Sequence, residues 1–265
     1  MYETADLGSI QPDSNPQVSW LVCSNCAGPG LRIALQSCLD QTFGDFEVIF
    51  VANGAQHCHI KDLVSAWFAD DARVKVFSTP IQGLTFSLNY GLHHARGDLI
   101  ARMDSDDIAE PDRLAVQVAY MRRYADTLVL GTAYKVIDND GMLLRTIMHP
   151  TSDAAIRRAL IWKNPLCHPS VMFRCQEVRQ AGGYMGGRYA EDYDLWVRMC
   201  SKLGPVFHNL EYAGVSYRSK GAEARGAAIA YYSQAGTQVQ KFLSTFNFLW
   251  LLGALSFWIK SLFAR

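Results

Sequence analysis

Apolar residues along this chain follow two different spacings, and the alternation between the two predicts its architecture. VSWLVC (18–23), EVIFV (47–51), VKVFS (74–78) and DLIARM (98–103) are short, largely apolar runs, as buried strands are. Between them, residues 31–41, KDLVSAWFAD (61–70) and LTFSLNYGLHHA (84–95) carry apolar positions at helical spacing. A loop with Gly28, Pro29 and Gly30 follows the first run, and the second ends at Asn53-Gly54, a turn signal. Strands alternating with helices imply an α/β fold around a mostly parallel sheet. Such sheets bind ligands beyond the carboxyl ends of their strands, where Asn53 and residues 104–107 fall.

After a predicted helix at 111–124 the order changes. Residues 128–138 and MLLRTIM (142–148), on either side of Asn139-Asp140-Gly141, read as an antiparallel hairpin. A helix is expected at 153–161 and a strand at HPSVMFR (168–174); YAEDYDLWVRMCSKLG (189–204) begins acidic and continues as an apolar helix. FLSTFNFLWLLGALSFWI (242–259) carries no charge between Lys241 and Lys260, and its apolar residues surround the helix instead of lining one face. At about 1.5 Å per residue it reaches roughly 27 Å, the short edge of a membrane span. Ser244, Thr245, Asn247, Gly253 and Ser256 weaken a full crossing. A helix docked on the core is one reading; a segment seated at a membrane is the favoured one. The expected divisions are a polar segment at 1–17, a catalytic-type α/β unit at 18–225 and a helical, membrane-associating segment at 226–265.

Composition narrows the partners. With 49% hydrophobic and 19% charged residues the chain is globular. Lys plus Arg and Asp plus Glu are 25 each, so no global field points to nucleic acid, and any affinity for phosphate is local. The seven cysteines follow no framework spacing, and the polar amino-terminal stretch lacks the apolar core of a signal peptide. Free thiols in a reducing cytoplasm are expected. Cys23-x-x-Cys26, near His57, Cys58 and His59, lacks a second clean ligand pair and reads as structural thiols.

ARMDSDDIAEPDR (101–113) crowds Asp104, Asp106 and Asp107 directly after an apolar run. Acids there can cap a helix that starts near Pro111, or they can hold a cation. Asp104-Ser105-Asp106 offers two carboxylates to a hard ion such as Mg²⁺ or Mn²⁺, which completes its shell with substrate phosphates. Glu191-Asp192 is a second acidic site at a helix start. Favourable charge against the helix dipole, worth about 0.3–1 kcal/mol, explains it; so does a base held apart from the metal. His168 is either a neighbour of the active centre or a satisfied buried histidine, and Trp196 reads as core.

Four blocks in this order resemble family 2 glycosyltransferases of the GT-A fold, across about residues 17–219. VSWLVCSNC resembles the family's opening strand, and LQSCLDQTFGDFEVIFVANGA its next helix, strand and turn. GLTFSLNYGLHHARGDLIARMDSDDIAEPDRL resembles its donor-site block, and HPSVMFR with GGYMGGRYAEDYDLWVRM its acceptor-side block. The resemblance implies inverting transfer of a sugar from a nucleotide diphosphate to an acceptor hydroxyl. It gives Asp106 as the metal-coordinating aspartate, Asp104 as the acid near ribose and metal, Asp192 as the base with Glu191 beside it, and Asn89 as a residue bordering the nucleotide. Mn²⁺ or Mg²⁺ is the implied cofactor.

Three departures bear on specificity. Ala52-Asn53-Gly54-Ala55 stands where the family commonly has Asp-Asp-Gly-Ser, so an acid expected against a uracil ring is replaced by Asn53. Cys23-Ser24-Asn25-Cys26 replaces the usual Pro-Thr-Tyr-Asn. Lys220 lies near a position often held by His, where it meets the diphosphate or is a solvated loop lysine. A UDP-sugar remains the favoured donor. Bacterial relatives in the family often extend lipid-linked glycans for surface polysaccharides. With the aromatic tail (Trp250, Phe257, Trp258) and Lys260, this predicts a polyprenyl-diphosphate-linked saccharide acceptor at the inner face of the cytoplasmic membrane. The rival readings are a nucleotidyltransferase, which would carry a basic Gly-rich loop after the first strand, a nucleotide-sugar hydrolase, and a non-catalytic membrane-associated binding module.

Overall fold

The computed structural model describes residues 15–202, 206–219 and 224–264. The first half folds as its apolar pattern predicts. Strands β1 (Val18–Ser24), β2 (Phe46–Asn53), β3 (Val74–Thr79) and β4 (Leu99–Asp104) run parallel in the order β3-β2-β1-β4. Every residue of β1 and β2 is buried, because helices cover both faces of the sheet. Side chains alternate across β1: Trp20 and Val22 pack under α1 (Leu31–Leu39), α2 (His57–Trp67) and α4 (Arg113–Arg123), whereas Leu21 and Cys23 pack on the other side, with α3 (Leu84–His94).

The second half adds antiparallel pairing. After the two-residue β5 (Ile108–Ala109), β6 (Val129–Ile137) and β7 (Leu143–Ile147) form the expected antiparallel hairpin. The strand expected over 168–174 is shorter. His168–Ser170 is a 3₁₀ turn and only Met172–Arg174 (β8) pairs, antiparallel to both β4 and β6. Pro169 brings no N–H to a ladder, and the Ser170 hydroxyl donates to the Cys167 carbonyl at 2.9 Å, closing the turn locally. A long strand that the apolar pattern does not announce, β9 (Phe207–Arg218), lies parallel to β6 and receives β5 at its far edge. Arg113, fully buried, ties the halves together. Its guanidinium stacks over Trp20 at 4.8 Å and donates to the carbonyls of Arg102 and Pro169, both at 2.9 Å.

Five helices complete the fold: α5 (Asp153–Leu160), α6 (Cys175–Gln180), α7 (Glu191–Met199), α8 (Ala224–Thr245) and α9 (Phe248–Phe263). The uncharged stretch 242–259 is not one continuous helix. Phe246 takes a positive φ of 52°, and Asn247 caps α9 by accepting from the Leu249 N–H at 3.0 Å. Among the described residues no helix is long and apolar enough to cross a membrane.

Instead, α9 presents two apolar faces. Trp250, Gly253, Ala254 and Phe257, at helical spacing, are buried, with Phe257 edge-on to Tyr193 of α7 at 5.5 Å. A Cβ at Gly253 would lie 2.0 Å from the Gln238 side-chain oxygen and 2.4 Å from the Ile161 carbonyl, so α9 crosses here on backbone alone. Leu251, Leu252, Leu255, Trp258 and Phe263 lie outward and exposed. The tail is therefore docked on the core by one stripe and apolar on the other.

Truncating the docked stripe should cost stability. Phe257→Ala should lower unfolding free energy by about 3–5 kcal/mol in urea titration, and Leu252→Ala on the outer face by less than about 1 kcal/mol. Equal small losses would mean that α9 is not packed as described.

Candidate active site

The carboxyl ends of β1, β2 and β4 lie side by side, with Ser24 in register with Ala52 and Cys23 with Asp104. Beyond them opens a cleft of about 970 Å³. Its lining includes Asn53, Asp104, Asp106 and Glu191, so four residues singled out in the sequence converge from three strand or loop ends and one helix start.

Asn53 is buried, and one N–H of its amide donates to the Ser24 carbonyl at 3.0 Å. Ser105 reaches the Ser24 hydroxyl at 3.1 Å, which ties the acidic loop to the β1 end. Beneath that loop is a cation: Arg102, fully buried, pairs with the Asp104 carboxylate at 2.5 Å. Residues two apart on a strand share a face, so β4 itself sets this pairing. Burial is the largest single influence and opposes the charge on Arg102, but Asp104, with Cys23 and Tyr184 adding to it, raises its pKa above the ordinary range. Asp107 differs from its neighbours. It is buried, accepts the Arg218 main-chain N–H at 2.9 Å, and has one oxygen without a partner. Burial first, then the charge of Asp104, raises its pKa well above the carboxylate range.

Opposite stands the start of α7. Burial and the adjacent Asp192 push the Glu191 carboxyl up to about 7. Asp192 accepts from the Asn164 amide and from the Tyr193 N–H, both at 2.7 Å. Burial raises its pKa, and those two bonds oppose the rise. Glu191 lines the cleft, whereas Asp192 faces the Asn164 loop.

Besides Asp192, two further expected residues, Asn89 and His168, are absent from the cleft lining. The Asn89 amide is engaged at both ends by the main chain of Tyr184, donating at 2.7 Å and accepting at 2.9 Å. It clamps the loop that leads to α7, where Gly183 takes a φ of +70° with no room for a Cβ beside Asn89. His168 contacts the Tyr184 hydroxyl at 3.0 Å and packs edge-on to Trp196; burial and the nearby Arg102 keep its imidazole neutral. Lys220 lies outside the described residues. The described cations of the cleft are Arg188 and Arg218, which the sequence reading passed over. Their positions in the sequence, three residues before Glu191 and two before Lys220, were the available signal.

Among the described residues no cluster of three or more His, Cys, Asp or Glu is placed to hold a metal. Asp104 and Asp106, both in the cleft lining, supply the one or two carboxylates that Mg²⁺ or Mn²⁺ takes when phosphate oxygens and water complete its shell. Cys23, in the same lining, is a buried thiol pushed up to about 12 and carries no charge there.

Residues 20–182 match the family model described as Glycosyl transferase family 2. The chain is 33% identical over 231 residues to the O-antigen biosynthesis glycosyltransferase WbnJ of Escherichia coli, covering 87% of this chain and 90% of that one. It is 27% identical over 206 residues to the UDP-Gal:alpha-D-GlcNAc-diphosphoundecaprenol beta-1,3-galactosyltransferase of Escherichia coli, covering 76% and 73%. In fold it is similar to the mannosyltransferase PcManGT from Pyrobaculum calidifontis in complex with GDP-Man and Mn²⁺. That likeness has a TM-score of 0.61 at 17% identity, and covers 96% of this chain and 75% of that one.

Folding raises the Glu191 pKa from 4.5 to about 7, so between those values the folded chain holds a proton that the unfolded chain has lost. Its contribution to stability therefore falls as pH rises through that window and is flat above it. In Glu191→Gln the melting temperature should decline less between about pH 5 and pH 7 than in the wild type. Parallel curves in a thermal-melt series would refute the raised pKa.

Proposed function

The chain belongs to glycosyl transferase family 2, and we propose that it moves a hexose, with inversion, from a UDP-sugar to a hydroxyl of a polyprenyl-diphosphate-linked saccharide. The observation that carries this reading is the convergence of Asn53, Asp104, Asp106 and Glu191 on one cleft at the strand ends. In this reading Asp104 and Asp106 hold Mn²⁺ or Mg²⁺, which supplies charge stabilisation for the departing diphosphate. Arg188 and Arg218 add fixed positive charge to the cleft lining, and Lys220 keeps its sequence-based assignment to the diphosphate.

Asp192 takes the proton of the acceptor hydroxyl. The hydroxyl oxygen bonds to the anomeric carbon as that carbon's bond to the diphosphate oxygen breaks, and the electron pair leaves with the nucleoside diphosphate. Attack from the face opposite the leaving group gives inversion. Glu191 and His168 belong to the acceptor side; the neutral His168 can only donate or accept a hydrogen bond. Asn89 acts on the donor side through the Tyr184 loop that it clamps.

For the donor base, Asn53 is anchored by one N–H to Ser24, and its oxygen is an acceptor that the ring N–H of uracil can meet, as the carboxylate common in the family would. The Escherichia coli relative named for UDP-Gal and a diphosphoundecaprenol acceptor supports the same donor and acceptor classes, and the Mn²⁺ complex of PcManGT supports the metal.

For the acceptor's setting, the support is the outer face of α9. A cavity of about 650 Å³ between α8 and α9 is lined by residues such as Val239, Leu251, Leu255 and Trp258. Contiguous exposed apolar residues on a folded chain mark a membrane or partner interface. We read residues 18–225 as the catalytic unit and 226–265 as the segment that seats it at the inner face of the cytoplasmic membrane.

A panel of UDP-, GDP- and dTDP-hexoses, assayed with GlcNAc-diphosphoundecaprenol, should show turnover with a UDP-sugar. Activity should vanish with EDTA and return with Mn²⁺ or Mg²⁺. Asp106→Ala should abolish transfer, and Asp192→Asn should lower turnover about 10²–10⁴-fold while nucleotide still binds. Turnover confined to GDP- or dTDP-sugars, or insensitive to chelation, would overturn the donor or metal assignment.

Flotation with anionic phospholipid vesicles should recover the full-length protein in the lipid fraction. Replacing Leu252 and Leu255 by Ser should weaken that recovery several-fold. Protein left wholly in the aqueous fraction would defeat the membrane assignment.

A further inference from the structure

The loop from Ile161 to Cys167, between α5 and the 3₁₀ turn, has no assigned role, yet three elements hold it. Gln238 of α8 donates to the Ile161 carbonyl at 2.8 Å, Lys260 of α9 to the Trp162 carbonyl at 2.6 Å, and Asn209 of β9 to the Pro165 carbonyl at 3.0 Å. At its centre is Asn164. Its side-chain oxygen accepts the Leu166 main-chain N–H at 3.3 Å, which fixes the amide's orientation, and its nitrogen then donates to Asp192 at 2.7 Å. The other Asp192 oxygen accepts the Tyr193 N–H at 2.7 Å.

We infer that Asn164 is a positioning residue for Asp192, its anchored amide holding the carboxylate in one orientation and favouring its ionised form. The inference rests on the reading of Asp192 as the base. The charged and titratable groups around Asp192 are Glu191 on its own helix, Arg102 from β4 and Tyr184 from the loop before α7. Glu191 disfavours a second negative charge, and Arg102 favours it. Burial is the largest influence and also favours the neutral acid. Hydrogen bonds to the ionised carboxylate oppose that shift, and among the described residues Asn164 gives the side-chain bond to it. Because the loop is fastened from outside, the amide cannot follow Asp192 if that side chain turns away.

Asn164→Asp separates this role from loop structure. The aspartate has nearly the same volume and still accepts the Leu166 N–H, but it has no N–H for Asp192 and adds a like charge. In the full-length protein, carbon-13 NMR titration of aspartate carboxylates, with Asp192 identified by its loss in Asp192→Asn, reads the effect directly. Asn164→Ala should raise the Asp192 pKa by on the order of one unit, and Asn164→Asp by more.

The acidic limb of the kcat–pH profile should move up in step, giving about a tenfold loss of turnover below the limb, with donor KM unchanged. An Asp192 titration that both variants leave unmoved overturns the inference, even where turnover falls uniformly. If Asn164→Asp does not fold, Asn164→Ala alone decides by the same titration. If Asp192→Asn remains fully active, the base reading falls and the positioning role falls with it. If Asp192→Asn is inactive while the Asn164 variants titrate and turn over as wild type, only the positioning role is lost.

Discussion

A single buried cation organises the acidic side of this protein. Arg102 is without solvent exposure, and its guanidinium is the positive charge under Asp104, close enough to Glu191, Asp192 and Asp107 to act on all of them. A cleft lined by four carboxylates, with Asp192 behind its wall, would otherwise repel itself and protonate. Asp107, Glu191 and Asp192 are nonetheless shifted toward the neutral form by burial, and Asp107 is fastened to β9 through the Arg218 N–H. The ion pair is costly to desolvate and stays in place because β4 and β8 leave it no alternative: the Arg102 N–H donates to Val171 while its carbonyl accepts from Arg113. Electrostatics and sheet geometry are one constraint here.

That constraint explains the division of labour between the sheet's halves. The parallel half supplies strand ends, whose main-chain termini and short polar side chains face the cleft. The antiparallel half supplies rigidity behind them: β8 bridges β4 and β6, and Arg113 joins Trp20 to the 3₁₀ turn before β8. The α7 carboxylates then meet the strand-end carboxylates across a gap whose width is set by the Asn89 clamp on Tyr184 and by the anchored Asn164 loop.

Much of this was legible in the sequence, for reasons that particular residues make plain. The first four strands are buried on both faces, so their apolar runs are unbroken and easy to read. Asp104, Asp106 and Glu191 stand out because acids rarely crowd beside buried segments. The strand β9 escaped because buried Asn209 and the side-chain-free Gly214 interrupt its apolar alternation; they serve a loop and a close crossing, and periodicity cannot register that. The 3₁₀ turn at His168–Ser170 was hidden inside a run that looks like a strand. The Asn89 and Arg218 side chains show the limit from the other side: they bond main-chain atoms of distant residues, which no local pattern encodes. The tail misled as one continuous uncharged helix, because apolarity all around a helix does not distinguish a stripe packed on protein from a face left open.

Gly253 carries a consequence of its own. Where α9 crosses Gln238 and Ile161 it contributes no side chain, so the Gln238 side-chain oxygen and the Ile161 carbonyl lie directly against its backbone. The same Gln238 fastens the Ile161 carbonyl and the Tyr193 hydroxyl, one residue from Asp192. Any larger residue at this crossing would lift α9 like a shim under a hinge plate, tilting its outer face relative to the cleft. How the protein's greasy exterior seats over its reaction chamber thus depends on a position that has no room for a methyl group.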